Sequence, residues 1–454
     1  MSAPPMPAKR RAWEKAILTR PDLLSQMASA VGESYHIIDP NTFAANLADF
    51  AAVFDECGVT GRIRYGYKAN KARAFVRACA DAAAIAPPSR YGVDVASAEE
   101  FGAALAAGVR GEEVMVTGPA HSDDVLRLAA RHRALVALDT VEQVSRVLEH
   151  TPTEHLNILL RMRPDDPTTR FGMSGWGLQQ AVADLQESDR IVLRGFSFHL
   201  SGYDVWPRVA MAHRAIDACQ RAREVGHPAD IVSIGGGIAV DYVEHRDWDT
   251  YRARESGEWY FDGKTAGSLY PYSTEVAGAA MLERILCDSD TTHPESVGVR
   301  ARSSGLSIMI EPGRALCDGA GISVFTVRGV HTHTDGTDII TVSGTSMSLS
   351  EQWFDSEFLP DPELVDPLGS QPRSDTPIVR HPAIVAGATC LDTDLLSRRR
   401  IPFSRRARVG DLIVYPNTAG YQMDSNESEF HQVPVPPKLV LHRQASPTTW
   451  SIDR

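Results

Sequence analysis

Eight short apolar runs, separated by helix-like stretches, constrain what this chain can fold into more than any other feature. They are IRYGYKA at 63–69, YGVDV at 91–95, EVMVTG at 113–118, ALVALD at 134–139, NILLRM at 157–162, LRGFSFH at 193–199, DIVSIGG at 230–236 and SIMIEPG at 307–313. Between most of them lie amphipathic patterns such as AFVRACADAAA, SAEEFGAALAAG and VAMAHRAIDACQRAREVG. Ser97, just before Ala98-Glu99-Glu100, is placed as an N-cap with acidic residues in the first turn. Strands alternating with helices imply a parallel sheet. Eight such units over roughly 250 residues match an α/β fold of the (β/α)8, or TIM-barrel, type in number and size, with a doubly wound sheet as the alternative. A barrel carries a further expectation: functional side chains sit at the C-terminal ends of its strands.

After residue 315 the pattern changes. ISVFTVRGV, DIITVSG, AIVAG, DLIVYP and KLVLHR are short strand-like runs without intervening amphipathic helices, which predicts a separate C-terminal β domain of sandwich or barrel-like form. Residues 241–275 form a polar, aromatic insertion between the seventh and eighth runs, and PLGSQPRSDTP at 367–377 reads as a surface loop. The expected division is a barrel over 45–315 and a β domain over 316–454. A chain of 454 residues is long enough for two cores. The net charge of −12 argues against nucleic acid as a partner. No apolar run approaches the ~20 residues of a membrane helix, and the N-terminus MSAPPMPAKRRAWEK has no apolar export core. Six scattered cysteines without a CxxC pair read as free thiols in a reducing compartment, so a cytoplasmic location is expected.

The strand ends form a chemical inventory. Run one ends in Lys68, run two includes Asp94, and run five leads to Arg163. Run six ends in His199, followed by Ser201. Run seven ends in Gly235, Gly236 and Gly237, and run eight ends in Glu311, Pro312, Gly313 and Arg314. Consecutive glycines let backbone N–H groups approach an anion closely. They also follow the seventh strand, where barrels often hold phosphate. An amine, a phosphate cradle and a carboxylate together suggest pyridoxal 5'-phosphate, with Lys68 holding the aldehyde as a Schiff base and the carboxylate facing the ring nitrogen.

With these residues in view, YGYKAN at 65–70 resembles the lysine motif of the fold-III pyridoxal-phosphate decarboxylases, which include the ornithine and diaminopimelate decarboxylases. YGVDVASAEE, GFSFHLSG, IGGG and EPGR resemble the motifs that follow in that family, in the same order. Beyond the barrel, ATCLDTD and VGDLIVYPNTAGY resemble its cysteine and tyrosine motifs. The resemblance spans roughly residues 35–435. It implies an alanine-racemase-like barrel, a C-terminal β domain that takes in the N-terminal segment 1–44, and a homodimer with shared active sites acting on an amino-acid-type small molecule. By residue it implies Lys68 as the Schiff-base lysine, His199 stacked on the cofactor, and Glu311 paired with the pyridine nitrogen. The phosphate would be held by Gly235, Gly236, Gly237, Gly313, Arg314 and Tyr421. Cys390 of the partner subunit would return a proton to the quinonoid carbanion after carbon dioxide leaves. Asp94 and Arg163 would support the cofactor.

The chain departs from the pattern in two places. His199 is followed by Leu200 and Ser201 instead of Gly-Ser, which moves the hydroxyl expected at the phosphate. Leu391 stands directly after Cys390, where the family carries the acid that recognises substrate, leaving Asp392, Asp394 or Asp355 of the WFDSE segment as replacements. The arginine cluster of SRRRIPFSRRARVGD (Arg398, Arg399, Arg400, Arg405, Arg406 and Arg408) reads first as a solvated loop and, more sharply, as a site for an acidic substrate. His331 and His333 in HTHTDGTD have a metal-like spacing, but the Asp-Gly pair favours a hairpin tip and no metal. Two other functions remain: a racemase or epimerase on the same barrel, and a non-catalytic decarboxylase homologue.

Overall fold

A computed structural model describes residues 3–454 except 151–154, 167, 187, 266, 268, 290, 291, 350–356, 368–379, 425–427 and 447. The chain divides into two compact units, one of residues 44–239 and 277–316, the other of residues 1–43, 240–276 and 317–454.

The first unit is the barrel. With β1 (Ser34–Ile38) belonging to the other unit, its strands are β2 (Gly61–Gly66), β3 (Tyr91–Val95), β4 (Val114–Val116), β5 (Leu135–Leu138), β6 (Leu156–Arg161), β7 (Ile191–Ser197), β8 (Ile231–Ser233) and β9 (Ser307–Ile310). All eight are parallel and the sheet closes, β9 pairing β2 with Ile63 opposite Ile310. Each run read from the sequence therefore supplies a strand. Met115, Leu135, Ala137, Leu159, Ile231 and Met309 form one buried cluster contributed by β4, β5, β6, β8 and β9. The helices between the strands carry the punctuation their sequences announce. Ser97 Oγ accepts from Glu100 N at 3.1 Å while Glu100 accepts from Ala96 N, a reciprocal cap that contributes about 1 kcal/mol.

The second unit is built on a mixed sheet. Its strands are β1, β10 (Gly321–Thr332), β11 (Asp338–Val342), β12 (Glu363–Val365), β13 (His381–Ala386), β14 (Leu395–Phe403), β15 (Leu412–Tyr415), β16 (Lys438–His442) and β17 (Thr449–Ile452). The order is β14-β13-β11-β10-β1-β16-β17, with β15 pairing β10 and β12. The N-terminal segment enters this unit through β1, antiparallel to β10 and parallel to β16. Trp13, Ile17, Leu24 and Met27, from two N-terminal helices, pack on Tyr35, Ile37, Ile322, Val324 and Leu439. The stretch HTHTDGTD joins β10 to β11 as a hairpin closed by His333 N donating to Thr337 O.

Two features of this unit differ from the expectation. The insertion within 240–276 packs here instead of with the barrel strands that flank it. Tyr242 stacks edge-on with Tyr270, Tyr272 and Phe358, and Phe261 N donates to Arg398 O. The segment read as an arginine-rich loop is strand β14. Its arginines tolerate the sheet because each meets a carboxylate of its own unit: Arg398 Asp262, Arg399 Asp361 and Arg400 Asp335. In the turn that follows, Arg405 and Arg406 pair with Asp411 and Asp338, and Arg408 N donates to Asp411. The guanidinium groups of Arg398, Arg399, Arg400, Arg405 and Arg406 are thus committed to carboxylates of the β unit. No helix among the described residues is long and apolar enough to cross a membrane.

Candidate active site

The chemistry-bearing side chains of the barrel collect at the C-terminal ends of its strands. Lys68 lies in a short 3-10 turn, Tyr67–Ala69, directly after β2, with its side chain exposed. The turn is fixed from beneath: Tyr65 Oη donates to Asn70 O at 2.7 Å, and Gly66 N donates to Pro312 O at 3.1 Å. Asp94, in β3, is buried and accepts from Thr117 Oγ1 at 2.7 Å. His199 and Gly235–Gly237 follow β7 and β8, and Glu311 follows β9.

These groups act on one another. Gly236 N donates to His199 Nδ1 at 3.3 Å, which fixes one face of the imidazole and leaves that nitrogen as an acceptor. Burial, with Lys68, Arg161 and Arg208 nearby, drives the His199 pKa down to about 3, so the ring is neutral and suited to lie flat against an aromatic system. Burial raises Glu311, while the Ser233 hydroxyl donating to Oε1 and the charges of Arg161, Lys68 and Arg64 oppose the rise. Burial and the neighbouring Glu311 raise Asp94, and Lys68 pulls it back. The barrel end thus holds one amine among two acids that are costly to ionise without a cation.

The triglycine is shaped by contact as well as by conformation. Gly235 and Gly237 have φ of +70° and +71°, in the region that glycine adopts at least cost. A Cβ on Gly236 would lie 2.7 Å from Glu311 O, and one on Gly237 2.1 Å from Arg208 Nη2. Arg208, in helix Val205–Glu224, is almost wholly buried. It donates to the carbonyls of Asp204 at 2.8 Å, Gly202 at 2.7 Å and Leu200 at 3.3 Å. Its Nε has no partner, and burial lowers its pKa to about 10. Ser201, in the loop that Arg208 ties down, is exposed.

Other predicted residues are placed differently. Arg163 lies beyond β6; its Nε donates to Gly172 O at 3.0 Å, and it lines an open groove of about 530 Å³ with Met173, Leu178 and Ala222. The arginine beside the acids is Arg161, the last residue of β6, which pairs with Asp139 at 3.4 Å and packs over the Phe171 ring. Gly313 and the buried Arg314 follow Glu311 in the turn after β9. In the β unit, Tyr421 is a non-glycine residue with φ +79°. Asp394 is buried and committed to its own loop, accepting from Ser346 N, Thr389 N and Thr389 Oγ1. Cys390, Leu391 and Asp392 are exposed, and Asp355 lies outside the described residues. Sequence reading passed over Arg161, Ser233, Thr117 and Arg208. The first three sit at or just beyond strand ends and were within reach of the same inventory. Arg208 lies in the first turn of its helix, and nothing in its sequence context distinguishes it.

The family model "Pyridoxal-dependent decarboxylase, pyridoxal binding domain" matches residues 42–257. The chain is 35% identical over 426 residues to the uncharacterized protein y4yA of Sinorhizobium fredii, covering 93% of this chain and 91% of that one. The chain belongs to the fold-III pyridoxal-phosphate-dependent decarboxylases. A diaminopimelate decarboxylase of Actinosynnema pretiosum is 23% identical, over 91% of this chain and 85% of its own. Among solved structures, the arginine decarboxylase of Paramecium bursaria Chlorella virus superposes with a TM-score of 0.67 at 16% identity, covering 92% of this chain and all of its own. The diaminopimelate decarboxylase of Helicobacter pylori complexed with L-lysine superposes with a TM-score of 0.70 at 15% identity, covering 95% of this chain and 96% of its own. At these identities the structural likeness is one of fold.

The family's cofactor is pyridoxal 5'-phosphate, and its members are carboxy-lyases. The residues present fit that group. An exposed lysine faces enclosed acids, a glycine turn keeps open a place where no Cβ could stand, and the unpartnered Nε of Arg208 lies behind that turn.

Proposed function

We propose that this decarboxylase acts on an amino acid or an amino-acid-derived substrate, using Lys68 as the cofactor's anchor and Cys390 as the proton donor. The observation that carries the reading is Glu311. A carboxyl group, held by Ser233 and flanked by Arg161, stands after β9 and would pair with the ring nitrogen. Alanine racemases on the same barrel present an arginine there, which weakens electron withdrawal; a carboxylate favours loss of carbon dioxide over inversion. When bound, pyridoxal phosphate supplies an electron sink conjugated to the substrate's Cα.

The chain's own residues do the rest. Lys68 would hold the cofactor's aldehyde through its amine. His199, neutral, packs against the ring without adding charge. Gly235, Gly236 and Gly237, with the Gly313–Arg314 turn, would leave room for the phosphate where side chains could not stand. Asp94 and Arg161 set the field around Lys68 and Glu311. The partner subunit's Cys390 returns the proton to Cα, which makes the working unit a homodimer. Leu391 and the loop-bound Asp394 offer the substrate no carboxylate, so its far end is not gripped by an acid at either position. Unbonded cysteines support a reducing, cytoplasmic setting.

The test is spectroscopic and then chemical. The purified protein should absorb near the visible edge, borohydride should fix the chromophore on the peptide carrying Lys68, and a screen of amino acids should release carbon dioxide. A protein that stays colourless after pyridoxal phosphate is added refutes the reading. Inversion at Cα with no gas released would make the protein a racemase.

A further inference from the structure

One pair of reactive side chains is left unused by the barrel. In the β unit, Cys390 Sγ lies 3.2 Å from His431 Nε2, and Cys390 is exposed. The contact joins residues 41 apart in sequence, one in the loop between β13 and β14, the other in a short turn before β16. That turn is held in an uncommon conformation. His431 and Gln432 both have left-handed backbones, with φ of 57° and 56°, although neither is glycine. Consecutive residues of this kind are sparsely populated and persist where the surroundings fix them. The Phe430 ring meets the His431 imidazole edge-on at 4.4 Å, and Phe430, Leu391 and His431 are all exposed.

We propose that His431 is a positioning residue that acts through Cys390, sharing one proton with its thiol and replacing the proton that the thiol delivers. The purpose of the pair, though not the pairing itself, rests on the decarboxylase reading above. In the step, the Cys390 S–H bond breaks and its proton goes to the substrate carbon that has lost its carboxylate, whose electron pair forms the new C–H bond. That delivery leaves both the thiolate and His431 Nε2 without a proton, and a proton from water then enters at Nε2 and is shared with the thiolate again. Nothing is oxidised or reduced. An exposed thiol without such a partner relies on bulk water for reprotonation, whereas an imidazole within hydrogen-bond reach accepts the thiol proton as the sulfur reacts. The charged groups beside the pair are Asp392 and Asp394 on the cysteine loop and Glu429 before the histidine. Asp394 is taken up by Ser346 and Thr389.

Thiol reactivity tests this without the decarboxylation assay. Wild-type protein and His431→Gln, both full length, are alkylated with iodoacetamide at pH 6.5 and at pH 9.5, and each cysteine peptide is followed by mass spectrometry. At pH 6.5, Cys390 in the variant should react about tenfold more slowly. At pH 9.5 the two rates should converge, because bulk hydroxide then ionises the thiol in both. Cys57 and Cys287, in the barrel, should react alike in both proteins and so report that the variant is folded. Equal Cys390 rates at pH 6.5 overturn the proposal. So does a slowing of equal size at both pH values, which would mean lost access. Carbon-dioxide release on the same wild-type preparation separates the two readings: an unaltered Cys390 rate sinks the pair whether or not gas appears, and absence of gas with the rate difference intact sinks only the decarboxylase reading.

Discussion

The contact between Gly237 and Arg208 yields a quantitative prediction. In Gly237→Ala, the left-handed φ of +71° alone costs about 1 kcal/mol for an L side chain. The new methyl would also stand 2.1 Å from Arg208 Nη2, the nitrogen that donates to Gly202 O and Leu200 O. Arg208 is almost wholly buried, so moving aside breaks hydrogen bonds from a charged group, worth about 1.5–3 kcal/mol in total, without solvent to replace them. The single substitution should therefore destabilise the apoprotein by about 3–4 kcal/mol in urea unfolding. In an Arg208→Met background the same glycine change should cost only about 1 kcal/mol, because the clashing nitrogen is gone. The coupling expected from the four-variant cycle is about 2 kcal/mol. Equal costs in the two backgrounds, within about 0.5 kcal/mol, would falsify the claim that the guanidinium shapes the glycine turn.

Other outcomes follow from the same geometry. Lys68→Ala should lose both the borohydride-fixed chromophore and carbon-dioxide release while unfolding at the wild-type urea midpoint; a label that moves to no other lysine is the check. Glu311→Gln should still bind the chromophore but release carbon dioxide at least about tenfold more slowly, since it takes away the acid facing the ring nitrogen; an unchanged rate argues against that pairing. Burial pushes the Glu14 carboxyl of the first helix up to about 8. A pKa raised on folding makes its contribution fully present below about 4.5 and lost as pH rises through about 8. Stability should accordingly fall across that window by something on the order of 3 kcal/mol, and Glu14→Gln should flatten the decline when urea midpoints are compared at pH 5, 6.5 and 8.

The sequence by itself determined the barrel, the β domain and most of the barrel's chemical inventory. Periodicity carries that information because a buried parallel strand must be apolar and a barrel exposes its strand ends, so Lys68, Asp94, His199, the triglycine and Glu311 could all be found by reading where each run stops. Arg163 shows the limit of the method. Placing the end of run five one residue late led past Arg161, and only the ion pair with Asp139 and the charge felt by Glu311 show which arginine shares the strand ends with them. Tertiary structure alone decided the features that depend on partners distant in sequence. The arginines of β14 could enter a sheet only because Asp262, Asp361 and Asp335 meet them there. Asp394 looked free to meet a substrate until Ser346 and Thr389 claimed it. Arg208 and His431 carry no motif, and their meaning comes from a glycine turn and a thiol brought to them by folding. A local pattern records which face of an element is buried; it does not record which charge or thiol waits on the other side.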